Sequence, residues 1–154
     1  KNSKVNIIIE DASKFIKKNK FKNYFDLIIA DRPDPIGPGK NLFKIKFYKD
    51  IKNVLSNNGI AVFQNGVPFF QKKELKDTMK HLKSTFNYSG VYLTVVPTYI
   101  GGYMALTWSS NAIDISKKVN LDKHSKVINK LNTQYYTKEI HYTSFILPKW
   151  IKEI

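Results

Sequence analysis

With 154 residues, 42% apolar and 25% charged, the chain has the size and balance of one globular domain or of a part of a larger one. It has no cysteine, which excludes a disulfide framework and thiol chemistry, and its three separated histidines give no basis for a metal site. No window approaches the roughly 20 apolar residues of a membrane span, and no basic segment followed by an apolar one opens the chain, which predicts a cytoplasmic protein without a membrane partner.

The formal net charge of +14 raises nucleic acid as a partner, but of the 26 basic residues only Arg32 is arginine. Phosphate- and base-reading surfaces favour the bidentate fork of arginine. The lysines are dispersed along amphipathic segments (Lys72, Lys73, Lys76, Lys80, Lys83), as lysine- and asparagine-rich drift would leave them. Nucleic acid is therefore not the expected partner.

In chain order, Val5 to Glu10 reads as a buried strand. The chain has no initiating Met and begins on this strand-like run, so the expectation is that something upstream has been separated from it. Asp11 and Ala12 open a turn, with Asp11 placed to cap a short helix over Ser13 to Asn19. Phe25 to Ala30 is a second strand, and its run Leu27 to Ala30 reads as fully buried and parallel. Leu42 to Leu55 has helical spacing and stops at Asn57-Asn58-Gly59. Ile60 to Gln64 is a third strand. Gln71 to Phe86 is an amphipathic helix with Leu75, Met79, Leu82 and Phe86 inward. Tyr92 to Val96 and Tyr103 to Trp108 are strands joined by a turn at Gly101-Gly102, hence antiparallel. The aromatics Phe69, Phe70, Tyr92 and Trp108 read as core.

Alternating strands and helices predict an α/β domain: a doubly wound, mostly parallel sheet with helices on both faces and a final antiparallel hairpin. Residues 1–110 form that domain, and residues 111–154 add a helix near Asp122 to Leu131 and a docking tail. The Gly-rich loop that usually follows the first strand of a nucleotide-binding sheet is missing. The pattern is that of the back half of a doubly wound domain.

The strand Phe25 to Ala30 runs directly into Asp31-Arg32-Pro33-Asp34-Pro35-Ile36-Gly37-Pro38. Ligands of open α/β sheets bind beyond the carboxyl ends of strands. Two carboxylates three residues apart in a stiff loop there can grip a cationic amine, and one can take its proton.

This loop resembles the spermidine synthase family, bacterial branch, in Asp31-Arg32-Pro33-Asp34-Pro35-Ile36-Gly37-Pro38-Gly39. The resemblance continues through Leu42-Phe43, Phe47-Tyr48, Gln64-Asn65-Gly66-Val67, Val96-Pro97-Thr98-Tyr99 with Gly101-Gly102, and Tyr135-Tyr136, His141, Phe145 and Leu147-Pro148. It implies the C-terminal half of a Rossmann-like class I methyltransferase fold. It also implies a polyamine aminopropyltransferase that moves the aminopropyl group of decarboxylated S-adenosylmethionine, as co-substrate, onto putrescine. The products are spermidine and methylthioadenosine, and no further cofactor is implied. By the resemblance Asp31 is the proton acceptor, Asp31, Asp34, Tyr99 and Gln64 face the amine, and Asp11, Ala12 and Pro38 face the nucleoside. A full-length form would be a homodimer or homotetramer, with the Gly-rich nucleoside loop upstream of this chain.

Three residues depart from the family pattern. Arg32 and Pro33 stand between the two acids where small residues are usual, and Lys40 stands where an acid is common. Folded back onto Asp31 or Asp34, Arg32 would lower that acid's pKa and occupy its oxygens. These departures and the missing loop predict little or no transfer by this chain on its own. Alternatives are a non-catalytic remnant of the family and a putrescine N-methyltransferase on the same scaffold.

Overall fold

Strand alternation decides which sheet face is covered. The computed structural model describes residues 4–117, 125–128 and 130–154. Its strands are β1 (Phe25–Ala30), β2 (Leu55–Gln64), β3 (Tyr88–Val95) and β4 (Tyr103–Ser110), in the sheet order β1-β2-β4-β3. β1 and β2 are parallel, with Leu27 opposite Ile60 and Ala30 opposite Phe63. β4 is antiparallel to both β2 and β3. β3 therefore points the same way as β1 and β2, and the carboxyl ends of all three open on one edge of the sheet. The expected hairpin is present, with Gly101 and Gly102 at φ of 96° and 71°, in the left-handed region that glycine enters without steric cost.

The helices are α1 (Ala12–Phe15), α2 (Ile45–Val54), α3 (Lys72–Thr85), α4 (Ser125–Ile128), α5 (Lys138–Ser144) and α6 (Lys149–Lys152), with 3₁₀ turns at Asn19–Phe21 and Gly37–Phe43. Phe47, Tyr48, Ile51 and Val54 of α2 recur at helical spacing, as do Leu75, Met79 and Leu82 of α3. These stripes pack on Ala61 and Phe63 of β2 and on Leu93 and Ala105, with Ile28 and Ala30 against them. Ile16 after α1, Phe21 and Ile151 of α6 close the same core.

The opposite face departs from the expectation of helices on both sides. Leu27 and Ile29 are 55% and 67% exposed, so β1 is not fully buried. α5 partly covers this side, bringing Phe145 to Tyr92 at 5.7 Å between ring centroids. The run Val5 to Glu10 is not a strand: Ile7 and Ile9 are 82% and 99% exposed. An extended apolar run becomes a strand only where a neighbour completes its ladder, and among the described residues β1 is bonded to β2 alone.

Other differences are local. β2 begins at Leu55, so Asn57-Asn58-Gly59 lies inside the strand, where its register against β1 shifts between Phe25 and Leu27. Phe69 and Phe70 are exposed rather than core, because a turn closed by Phe70 N–H onto the Val67 carbonyl at 3.0 Å carries both rings off the sheet. Trp108 is buried and Tyr92 half-buried. Of the helix expected near Asp122 to Leu131, α4 falls within the range, and residues 122–124 and 129 lie outside the described residues.

Gly90 of β3 sits directly opposite Trp108 of β4. A β-carbon at Gly90 would stand 2.7 Å from the indole Nε1 and 2.9 Å from Cε2, and Trp108, only 2% exposed, has little room to yield. Gly90→Ala should therefore cost about 1–3 kcal/mol through overpacking. Urea unfolding followed by tryptophan fluorescence measures this, and an unchanged midpoint would contradict the packing.

Candidate active site

The carboxyl edge of the sheet gathers most of the residues singled out in the sequence. Asp31 follows β1 immediately and is exposed; Asp34, three residues on, is exposed as well. Gln64 ends β2 and is half-buried. Tyr99 lies beyond the end of β3, 49% exposed, in a turn held by Tyr99 N–H onto the Val96 carbonyl (3.1 Å) and Gly102 N–H onto the Tyr99 carbonyl (3.0 Å). Asp11 and Ala12 are exposed at the start of α1. Asp11 caps that helix, accepting from Ser13 N–H at 2.8 Å and from the Ser13 hydroxyl at 2.7 Å. These bonds hold its carboxyl below the usual range. The hydrogen bonds of Asp11 thus stay inside α1 and do not tie it to the acid loop. The backbone of Pro38 lies in the 3₁₀ turn, while its side chain is outside the described residues.

Arg32 does not fold back onto either acid. It is 4% exposed and points into the core. Its Nε donates to the Gln64 carbonyl (3.2 Å), Nη1 to the Leu42 carbonyl and the Tyr48 hydroxyl (2.7 Å each), and Nη2 to Thr78 Oγ1 (3.2 Å). With the amide of Asn65 oriented as its neighbours require, Asn65 Oδ1 accepts from Nη2 at 3.2 Å and its amide nitrogen donates to Thr107 Oγ1 at 2.7 Å. Each of the five N–H donors of a guanidinium then has an acceptor. The Phe43 ring covers one face of the group, with Cζ 3.7 Å from its centroid. Among the described residues no carboxylate forms an ion pair with Arg32. Burial pushes its pKa below the ordinary value, with Tyr48 and, to a lesser extent, Glu74 opposing that push. A guanidinium nevertheless remains charged.

The backbone around this anchor is fixed in turn. With its amide turned toward its partners, Gln64 donates to the Arg32 carbonyl at 3.1 Å and accepts from Gly66 N–H at 3.1 Å. Pro33 fixes the next φ, and Ile36 N–H closes onto the Asp34 carbonyl at 2.7 Å. A side chain anchored inward thus leaves its two acidic neighbours facing solvent.

Two residues with no assigned role in the sequence reading join the edge. Gln71 Nε2 donates to Asp34 Oδ1 at 3.0 Å and to Glu74 Oε2 at 3.4 Å. Burial raises the Glu74 carboxyl to about 7, with Arg32 pulling it down and Asp34 pushing it up. Their spacing at the start of α3 signals a helix terminus and nothing more, so only the fold reveals that they face Asp34. His141 packs instead among Tyr136, Tyr142 and Phe145, and burial lowers its pKa.

Arg32→Ala would leave the Tyr48 hydroxyl, Thr78 and two carbonyls without their donor. The expected loss is about 3 kcal/mol, a fall in melting temperature of roughly 6–12 °C for a chain of this size. Arg32→Lys should restore little, because a point charge cannot serve five acceptors or stack on Phe43. A melting temperature unchanged in both variants would overturn the anchor.

Comparison with known proteins places this geometry. The model of the spermine/spermidine synthase domain matches residues 1–141. The chain is 48% identical to the polyamine aminopropyltransferase of Buchnera aphidicola subsp. Acyrthosiphon pisum (strain Tuc7), over 97% of this chain and 52% of that relative. It is 40% identical to that of Clostridioides difficile (strain 630), over 98% of this chain and 53% of the relative. A spermidine synthase crystallised with the transition-state analogue AdoDATO superposes with a TM-score of 0.88 at 31% identity, over 99% of this chain and 51% of that one. The spermidine synthase of Thermotoga maritima superposes with a TM-score of 0.84 at 30% identity, over 99% and 50%. The sheet is thus that of a Rossmann-like methyltransferase fold, and the chain spans about half the length of the curated relatives it matches. On the family match along residues 1–141 and the agreement of the fold, the chain belongs to the spermine/spermidine synthase family.

Proposed function

We propose that this chain supplies the amine side of a polyamine aminopropyltransferase that acts on putrescine and decarboxylated S-adenosylmethionine. The observation that carries the reading is the pair Asp31 and Asp34, both exposed at the carboxyl edge while Arg32 between them is turned into the core. A diamine is held there by its ammonium charges. Asp31 accepts a proton from the attacking amine, whose nitrogen then forms a bond to the aminopropyl carbon beside the sulfonium. The C–S bond breaks, its electron pair neutralises the sulfur, and spermidine and methylthioadenosine result. Asp34 binds the second ammonium, and Gln64 and Tyr99 line the channel. Asp11, Ala12 and Pro38 face the nucleoside.

The open side of the sheet supports a site completed by further polypeptide. Parallel strands are normally covered on both faces, yet β1 leaves Leu27 and Ile29 exposed and, among the described residues, has one unpaired edge. In this reading a nucleoside-binding half covers that side, and the full-length form self-associates. The inward Arg32 also removes one support for a non-catalytic remnant, because it occupies neither acid. Among the described residues no helix is long and apolar enough to cross a membrane.

The test incubates labelled decarboxylated S-adenosylmethionine and putrescine with the chain alone and with the half of a Buchnera relative that this chain does not match. Spermidine is expected only from the complemented chain, and Asp31→Asn should lower its formation about 10²–10⁴-fold as a lost general base does. Arg32→Ser with Pro33→Thr should bring no gain, since Arg32 does not block the acids. Undiminished transfer by Asp31→Asn would contradict the assignment.

A further inference from the structure

The transfer step outlined above makes no use of Gln71, yet its side chain is firmly constrained. Val67 N–H donates to Gln71 Oε1 at 2.8 Å, which fixes the orientation of the amide. The amide nitrogen must then face the acids, where it reaches Asp34 Oδ1 and Glu74 Oε2. The turn leading to it is closed by Gln71 N–H onto the Val67 carbonyl at 2.9 Å. A side chain at position 66 would run into this amide, so Gly66 keeps the space open.

We propose that Gln71 is a positioning residue that holds Asp34 at the sheet edge and sets Glu74 beside it, so that both carboxylates anchor the far ammonium of the diamine. The proposal rests on the diamine reading given above and adds the second carboxylate and its holder. One amide that donates to two acids keeps them close, and close like charges are relieved by a cation placed between them. The charged groups that face Glu74 are Arg32 and Asp34, both from the loop after β1. Arg32 spends its donors on the core, which leaves the outward side of the pair free for an ammonium.

This arrangement links diamine binding to protons. A Glu74 carboxyl that titrates near 7 holds its proton at pH 6 and has largely lost it at pH 8. An ammonium beside it favours the ionised form, so binding releases a proton and tightens as pH rises. The amines of the diamine stay protonated across this range, as alkyl ammonium groups titrate near 10.

Calorimetric titration of putrescine at pH 6, 7 and 8, with the chain alone and complemented as above, tests it. Binding is expected to be about tenfold tighter at pH 8 than at pH 6. Glu74→Gln should flatten that dependence and weaken binding at pH 8. Gln71→Ala, shown to be folded by circular dichroism, should do the same, whereas a merely structural role would leave the pH slope intact. Asp31→Asn should lower transfer and keep the slope. A slope that survives Glu74→Gln or Gln71→Ala overturns this proposal and leaves the diamine reading standing. No binding of putrescine at any pH, with the complementing half present, overturns both.

Discussion

The site depends on a cation that the protein keeps dry. Taking a guanidinium out of water costs several kcal/mol unless hydrogen bonds and charges replace the solvent. Here Leu42, Tyr48, Gln64, Asn65, Thr78 and the Phe43 ring replace it, and they come from a 3₁₀ turn, α2, the end of β2 and α3. One side chain therefore ties the first loop of the sheet edge to both helices that cover its face. Asp31 and Asp34 flank it in sequence and are turned to solvent because it is turned inward.

This arrangement does not meet the condition set in the sequence reading, that Arg32 folds back onto an acid. An arginine between two acids is expected to pair with one of them, and paired acids are poor amine ligands. The core offers Arg32 more acceptors than a carboxylate could, including the hydroxyls of Tyr48 and Thr78. These acceptors lie 10 to 46 residues away along the chain, and no local pattern reveals them.

Periodicity made much of the scaffold legible. The stripes of α2 and α3, the strand leading to Asp31 and the hairpin at Gly101-Gly102 all follow from local spacing and from glycine's access to positive φ. Partner-dependent features were not legible. Among the described residues Val5 to Glu10 has a strand's composition but no ladder neighbour, and Leu27 and Ile29 have a buried strand's composition but are left exposed by the partial cover of α5. The acids were visible through their position at a strand end. Gln71 and Glu74 were not, because only the turn at residues 66–71 brings them to Asp34.

The buried anchor can be observed directly, because Arg32 is the chain's only arginine and gives a single guanidinium Nε–Hε resonance in a ¹H–¹⁵N spectrum. Hydrogen-bonded to the Gln64 carbonyl in the core, that proton should exchange slowly with water at pH 8. Its shift should hold when Asp31→Asn and Asp34→Asn are introduced together. Rapid exchange, or a shift that follows those substitutions, would mean that Arg32 pairs with the acids, and the account of an acid pair left clear of Arg32 would fail.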